Sequence, residues 1–215
     1  MPATPGNPGP RSVKGAIRRG RKFRQVLDGA RAVFMADGYE RGSMDEIARR
    51  AGVSKATLYS YFPDKRLLFE EVVRVVCRRQ ADAAIELSDS AAPPEAVLRA
   101  AARRLIDFYL SSFGQAMHRI CAAEAVRFPE LGRHFYESGP KLARARIGAY
   151  LEGACAAGWL TIEDVALAAD QFVELSKADL FARMSCGLAG TIGPGCVERV
   201  IEGAVATFLA RYRAA

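Results

Sequence analysis

The chain has 215 residues, half of them apolar, with 31 Lys/Arg against 24 Asp/Glu and a net charge of +7. That is enough for a small head plus one larger helical domain with a sizeable core; no signal-peptide core or bilayer-spanning apolar run appears, so a cytoplasmic protein is expected. The charge is uneven: residues 1–66 carry 14 Lys/Arg and 6 Asp/Glu, a net +8, whereas residues 67–215 carry 17 and 18, a net −1. A cationic front suited to a polyanion is thereby set apart from a near-neutral rear.

Residues 1–19 are rich in Pro, Gly and Arg and read as a disordered basic tail. Arg11, Lys14, Arg18 and Arg19 could add attraction to phosphate or enter a minor groove, although a solvated tail is the simpler reading for any one of them. A first helix is expected over 21–37, with Phe23, Val26, Leu27, Ala30, Val33 and Phe34 on one face and Gly38 at its end.

The stretch from Ser43 to Lys65 reads as two short helices joined by a tight turn. Ser43 and Glu46 have the spacing of a capping box, in which hydroxyl and carboxylate each satisfy a free backbone N–H. Gly52 can take the left-handed conformation that ends the first helix, and Ser54 can cap the second. Ile47, Val53, Leu58 and Phe62 should pack on the first helix, Ala48 is small enough for a close crossing, Pro63 stops the second helix, and Asp64 can cap the next. This is a helix-turn-helix pattern, whose second helix lies in a DNA major groove. The residues left facing out (Lys55, Thr57, Tyr59, Ser60, Tyr61 and Lys65) are donors or polar aromatics with no carboxylate among them.

The run from Arg24 to Phe69 resembles the DNA-binding domain of the TetR family of bacterial repressors. The resemblance rests on Ala30-x-x-x-Phe34, Gly38-Tyr39, Ser43-Met44-Asp45-Glu46-Ile47-Ala48, the run Ala51 to Phe62 with its Thr57-Leu58-Tyr59, and Lys65. It implies an all-α protein: a three-helix DNA-binding domain at 20–66, and a helical-bundle ligand-binding and dimerisation domain at 67–215. It also implies a homodimer on a palindromic operator, released by a small-molecule effector. By the same resemblance Lys55, Ala56 and Tyr59 meet bases and Ser43, Thr57, Tyr61 and Lys65 meet phosphates, with Ser54 and Ser60 completing the DNA-binding set.

Beyond Asp64, apolar residues surround a helix that continues to about Leu87, a candidate lever between head and body. A break at Ser88–Pro94 precedes helices ending near Ser112, starting at Gly114 and running to Ala125, opening at Pro129, and running from Gly139-Pro140 to about Ala157. Arg127 to Trp159 resembles, less specifically, the regulatory domain of one TetR branch. Thr161 is an N-cap candidate, with Asp164 three residues on. Two last helices are expected over 163–185 and 195–213, separated by a loop at 187–195. Their apolar stripes need a partner, either the protomer's own core or symmetry mates; the resemblance implies dimerisation through both helices.

The effector-pocket candidates are Phe108, Phe113, Met117, His118, Arg119, Phe128, Trp159, Gln171 and Phe172, large apolar surfaces with a few polar groups, and ordinary helical core is the competing reading. Glu124 and Arg127 are further polar candidates. Catalysis, a metal and a cofactor are not expected: His118 and His134 lack metal-site spacing, and no nucleophile elbow, P-loop or dinucleotide fingerprint occurs. Glu124 and Glu130 could act as acid and base, but two surface carboxylates are commonplace. The five cysteines lie at wide spacing with no CxxC pair and read as buried thiols; Cys77 beside Arg78 and Arg79 is the one weak candidate for redox chemistry. The competing functions are an effector-free architectural DNA-binding protein and, more remotely, an enzyme working in a cavity of the helical domain.

Overall fold

The structure, a computed structural model, describes residues 20–88 and 92–214. The expected tail at 1–19 lies outside the described residues, as does the middle of the break before Pro94. The described residues form eleven α-helices, one 3-10 turn at 189–191 and one isolated β-bridge, as an all-α fold requires.

Helix α1 (Arg21–Arg41) buries its whole expected face, Phe23, Val26, Leu27, Ala30, Val33 and Phe34. Gly38 breaks its regularity at φ 80°, as expected, but one further turn follows before Gly42. Helices α2 (Met44–Ala51) and α3 (Lys55–Tyr61) form the helix-turn-helix, with Gly52 left-handed at φ 64° between them. Ser43 accepts from the Glu46 backbone N–H at 3.1 Å, and Ser54 from that of Thr57 at 3.1 Å. Only half of the expected capping box forms, because the Glu46 carboxylate turns to Arg49 at 2.5 and 2.8 Å. A guanidinium fork matches a carboxylate better than a single backbone N–H does. Ile47, Leu58 and Phe62 are buried against α1, and Val53 is half-buried there.

Helix α4 (Lys65–Ser88) starts with Asp64 capping the Leu67 N–H at 2.8 Å. The body continues with α5 (Pro94–Leu110), α6 (Ser112–Glu124), α7 (Pro129–Ser138) and α8 (Pro140–Ala156). It closes with α9 (Val165–Leu175), α10 (Ala178–Ser185) and α11 (Pro194–Tyr212). Three details differ from expectation. Helix α6 begins two residues before Gly114, because Ser111 caps the Gly114 N–H at 3.0 Å. Asp164, not Thr161, caps α9, accepting from Leu167 at 2.9 Å. The helix expected over 163–185 is broken at Ser176–Lys177, with Ala178 at φ 23°.

Two apolar clusters organise the packing. One joins α1–α4 to α6 and α7 through Phe34, Tyr39, Leu58, Phe69, Met117 and Leu131, so the core of the head runs on into the body. The other joins α5, α8, α9 and α11 through Ile106, Leu151, Phe172, Ile201 and Phe208. Burying each such side chain contributes about 1.5–3 kcal/mol. The apolar stripe of α11, offered by the sequence either to a symmetry mate or to the protomer itself, lies in this second cluster through Val197, Ile201, Val205, Phe208 and Leu209, and Ala204 is buried with them in one chain. The end of α11 is pinned to the α8–α9 turn, Thr161 N–H to Tyr212 O at 2.9 Å and Ala214 N–H to Trp159 O at 3.1 Å. Among the described residues no helix is long and apolar enough to cross a membrane.

Candidate nucleic-acid interface and effector region

Two capped helix starts and one glycine turn fix how α3 is presented. Leu58, wholly buried, anchors it in the core of the head, so the opposite side of this two-turn helix must face solvent. Ser54, Lys55, Ala56, Tyr59 and Ser60 are exposed there, and Thr57 is half-buried. Tyr59 leaves 48% of its surface in water, so both its ring and its hydroxyl can be reached by a partner. Ser43 stands at the start of α2 with its hydroxyl already engaged as a cap. The Ser54 and Thr57 hydroxyls meet at 2.9 Å, and Ser60 donates to Thr57 O at 2.7 Å.

Three of the expected contact residues carry a second role. Tyr61 is half-buried with its ring edge on Phe23 at 5.6 Å, so its body belongs to the head core. Lys65 turns back to α1: its ammonium donates to Tyr39 O and Glu40 O, both at 2.9 Å, and sits 4.7 Å over the Tyr39 ring. Lys55 is paired with Asp45 of α2, Nζ to Oδ2 at 2.7 Å, so a carboxylate from the neighbouring helix stands beside the donors of α3. Arg49 and Arg50 at the end of α2, and Arg21, Lys22 and Arg24 at the start of α1, are exposed as well. The residue pattern did not single them out; the net charge of the head was their only signal.

The head is tied to the body at the turn between α6 and α7. Arg127 reaches Glu40 at 2.9 Å, and the Phe128 ring stands edge-on to Tyr39 at 5.5 Å. Tyr39 in turn packs on Phe34 and Phe69, and burial pushes its phenol pKa up, with Asp64 adding to the shift. Thus the last turn of α1, which leads directly into α2, is held from α4 and from the body at once. Arg127 and Phe128, effector-region candidates by sequence, thus also serve as the link to the head.

The nine effector-pocket candidates do not form one set. Phe113 and Met117 lie in the first cluster, with Phe108 and Phe128 packed against it, while Phe172 and Trp159 belong to the second. His118 faces α10, its Nε2 3.1 Å from Ser185 Oγ and its ring edge-on to Phe181 at 5.0 Å. Gln171 accepts from the Tyr212 hydroxyl at 2.6 Å on the outer side of α9 and α11. Arg119 lines a cleft of about 370 Å³ between the end of α1 and α6, together with Ala116, Ile120 and Glu124. A second cleft, of about 770 Å³, separates Phe23, Tyr61 and Phe62 of the head from Arg74 and His134. Cys77 is buried and its thiol pKa is pushed up to about 12, chiefly by burial, so the neighbouring arginines do not activate it.

Comparison with known proteins gives two family matches. Residues 26–72 match the bacterial regulatory proteins of the tetR family, and residues 96–214 match the AefR-like transcriptional repressor C-terminal domain. A TetR-family transcriptional regulator from Mesorhizobium loti superposes with a TM-score of 0.82 at 31% identity, over 93% of this chain and 100% of that one. The flavonoid-responsive regulator FrrA gives 0.72 at 35% identity, over 90% and 97% of the two chains. The HTH-type transcriptional activator FasR of Mycolicibacterium smegmatis is 40% identical over 72 residues, 31% of this chain. That match spans 33% of the length of FasR.

Proposed function

The chain belongs to the TetR family of bacterial regulatory proteins, and we propose that it is a cytoplasmic transcriptional repressor that grips a palindromic operator as a homodimer and lets go when a small molecule binds. The observation that carries this reading is α3 itself: a capped helix that keeps Lys55, Ala56 and Tyr59 in solvent, on the part of the chain that holds the excess positive charge. Residues 20–66 act as the DNA-binding head and 67–215 as the regulatory and dimerisation body. Repression is the direction that the match of residues 96–214 to a repressor domain supports.

The two copies meet through the outer faces of α9 and α11, the sides turned away from the protomer core. Two-fold symmetry then sets two α3 helices on half-sites one DNA turn apart, about 34 Å. The effector acts from the body, and the turn at Arg127–Phe128 carries its effect to the end of α1 and so to α2 and α3. Such a ligand must bind the released arrangement more tightly, since equal affinity for both states shifts nothing. FrrA is named for its response to flavonoids, and at 35% identity it makes planar aromatic compounds the first class to test.

Selection of genomic fragments by the purified protein, followed by footprinting, tests the reading. A short protected palindrome, lost on adding an effector, is the expected outcome. Broad coverage of DNA would favour an architectural protein, and no preference over bulk competitor would end the proposal.

A further inference from the structure

We propose that Asp45 is a specificity-setting residue: its carboxylate holds Lys55 back from random DNA and yields it to the operator. The inference rests on the DNA-binding reading above and adds to it a residue with a negative role. Asp45 is the second residue of α2 and Lys55 the first of α3, so the pair crosses the helix-turn-helix at 2.7 Å. Ser43 caps one helix and Ser54 the other, and Gly52 fixes the turn between them, so the backbones bring the two groups together. Both side chains stay in solvent, Lys55 64% and Asp45 62% exposed, so a DNA partner of α3 can reach both. The neighbouring Glu46 is taken up by Arg49 on its own helix and is not available to Lys55 in the same way.

An exposed ion pair is weak and biases an equilibrium by at most about fivefold. One phosphate of a random duplex is a partner of similar strength, so Lys55 gains little by leaving Asp45. On the operator, Lys55 meets a base edge and a phosphate in fixed register, and the exchange becomes favourable. Asp45 also repels any phosphate within the ~8 Å screening length. Both effects lower non-specific affinity more than specific affinity, and it is their ratio that selects a site in a genome.

The test measures log K against log salt on the selected operator and on a random duplex. For Asp45→Asn, random-duplex affinity should rise about two- to fivefold and its salt slope steepen by about 0.9, the signature of one more phosphate contact. The operator slope should change by much less. Lys55→Ala should flatten the operator slope by about 0.9 with Asp45 in place, and flatten the random-duplex slope only in the Asp45→Asn background. Asp45→Glu, which keeps the carboxylate, should keep the shallow random-duplex slope. A purely structural role for Asp45 would weaken both DNAs without this slope pattern. Equal slope changes on the two DNAs, or an unchanged random-duplex slope, would overturn the inference while leaving the operator reading intact. A wild-type chain with no preferred duplex would instead remove that reading itself.

Discussion

Gly29 marks where α1 passes α2. A Cβ placed on it would stand 2.9 Å from both the Cβ and the backbone N of Ala51. Contacts that short force one helix off the other, and here one of the two atoms is backbone, which cannot swing aside. Two effects of Gly29→Ala oppose each other: a helix-propensity gain of up to about 1 kcal/mol, and an overpacking cost of about 1–3 kcal/mol. The cost should win, and urea unfolding should show a net loss of about 1 kcal/mol; an unchanged or raised midpoint would mean the crossing is looser. The sequence made the need for a small residue legible and located it at Ala48, which is indeed buried. It could not locate the closest approach, because that depends on how each helix is rotated about its axis. The same limit applies to Lys65. Its charge and its place after Asp64 were readable, whereas its turn back to two carbonyls of α1 is a long-range fact of 25 and 26 residues' separation.

At the level of elements, the sequence was most informative where local chemistry decides. Caps at Ser43, Ser54 and Asp64, and the left-handed Gly52, depend on neighbours within a few residues and were all foreseeable. The break between α9 and α10 was not, since no Pro or Gly announces it. Ser176 is wholly buried and its hydroxyl donates to Phe172 O at 2.8 Å, a back-bond that competes with the helical ladder and bends helices. Lys177 then lies over the Phe181 ring at 5.3 Å and pairs with Glu174 at 2.6 Å, which holds the corner. The turn between α6 and α7 is the other element whose role appears only in three dimensions. If it fastens the head through aromatic contact, Tyr39→Leu and Phe128→Leu should be coupled. A double-mutant cycle on unfolding free energy should give about 0.5–1.5 kcal/mol, the range for edge-to-face pairs. Strictly additive losses would show that the rings only happen to be near each other.

For the whole molecule, the decisive asymmetry is between the two faces of the α9–α11 layer. The inner face closes the protomer core, with Phe172 and Phe208 edge-on at 5.3 Å. The outer face keeps Leu167 50% exposed and forms, with Leu175, Thr207 and Tyr212, a cleft of about 690 Å³ that Asp170, Glu174 and Arg211 also line. Ala206, Thr207 and Ala210 are exposed along α11 on the way, and small side chains let a second helix approach closely. Leu167 therefore separates the two jobs that the sequence stripes left merged, because it lies outside the core and inside the proposed seam. Leu167→Arg should leave helical content and melting of the protomer nearly intact. It should convert the protein to a monomer in sedimentation, since a long, hydrated guanidinium would have to be packed where Leu167 now offers apolar surface to the second copy. Operator affinity should then fall by roughly 10²-fold or more, the loss expected when two linked half-site contacts become one, while half-site binding persists. A variant that still sediments as a dimer, with full affinity for the palindrome, would place the two-fold axis on another face and require the spacing of the two α3 helices to be worked out again from that face.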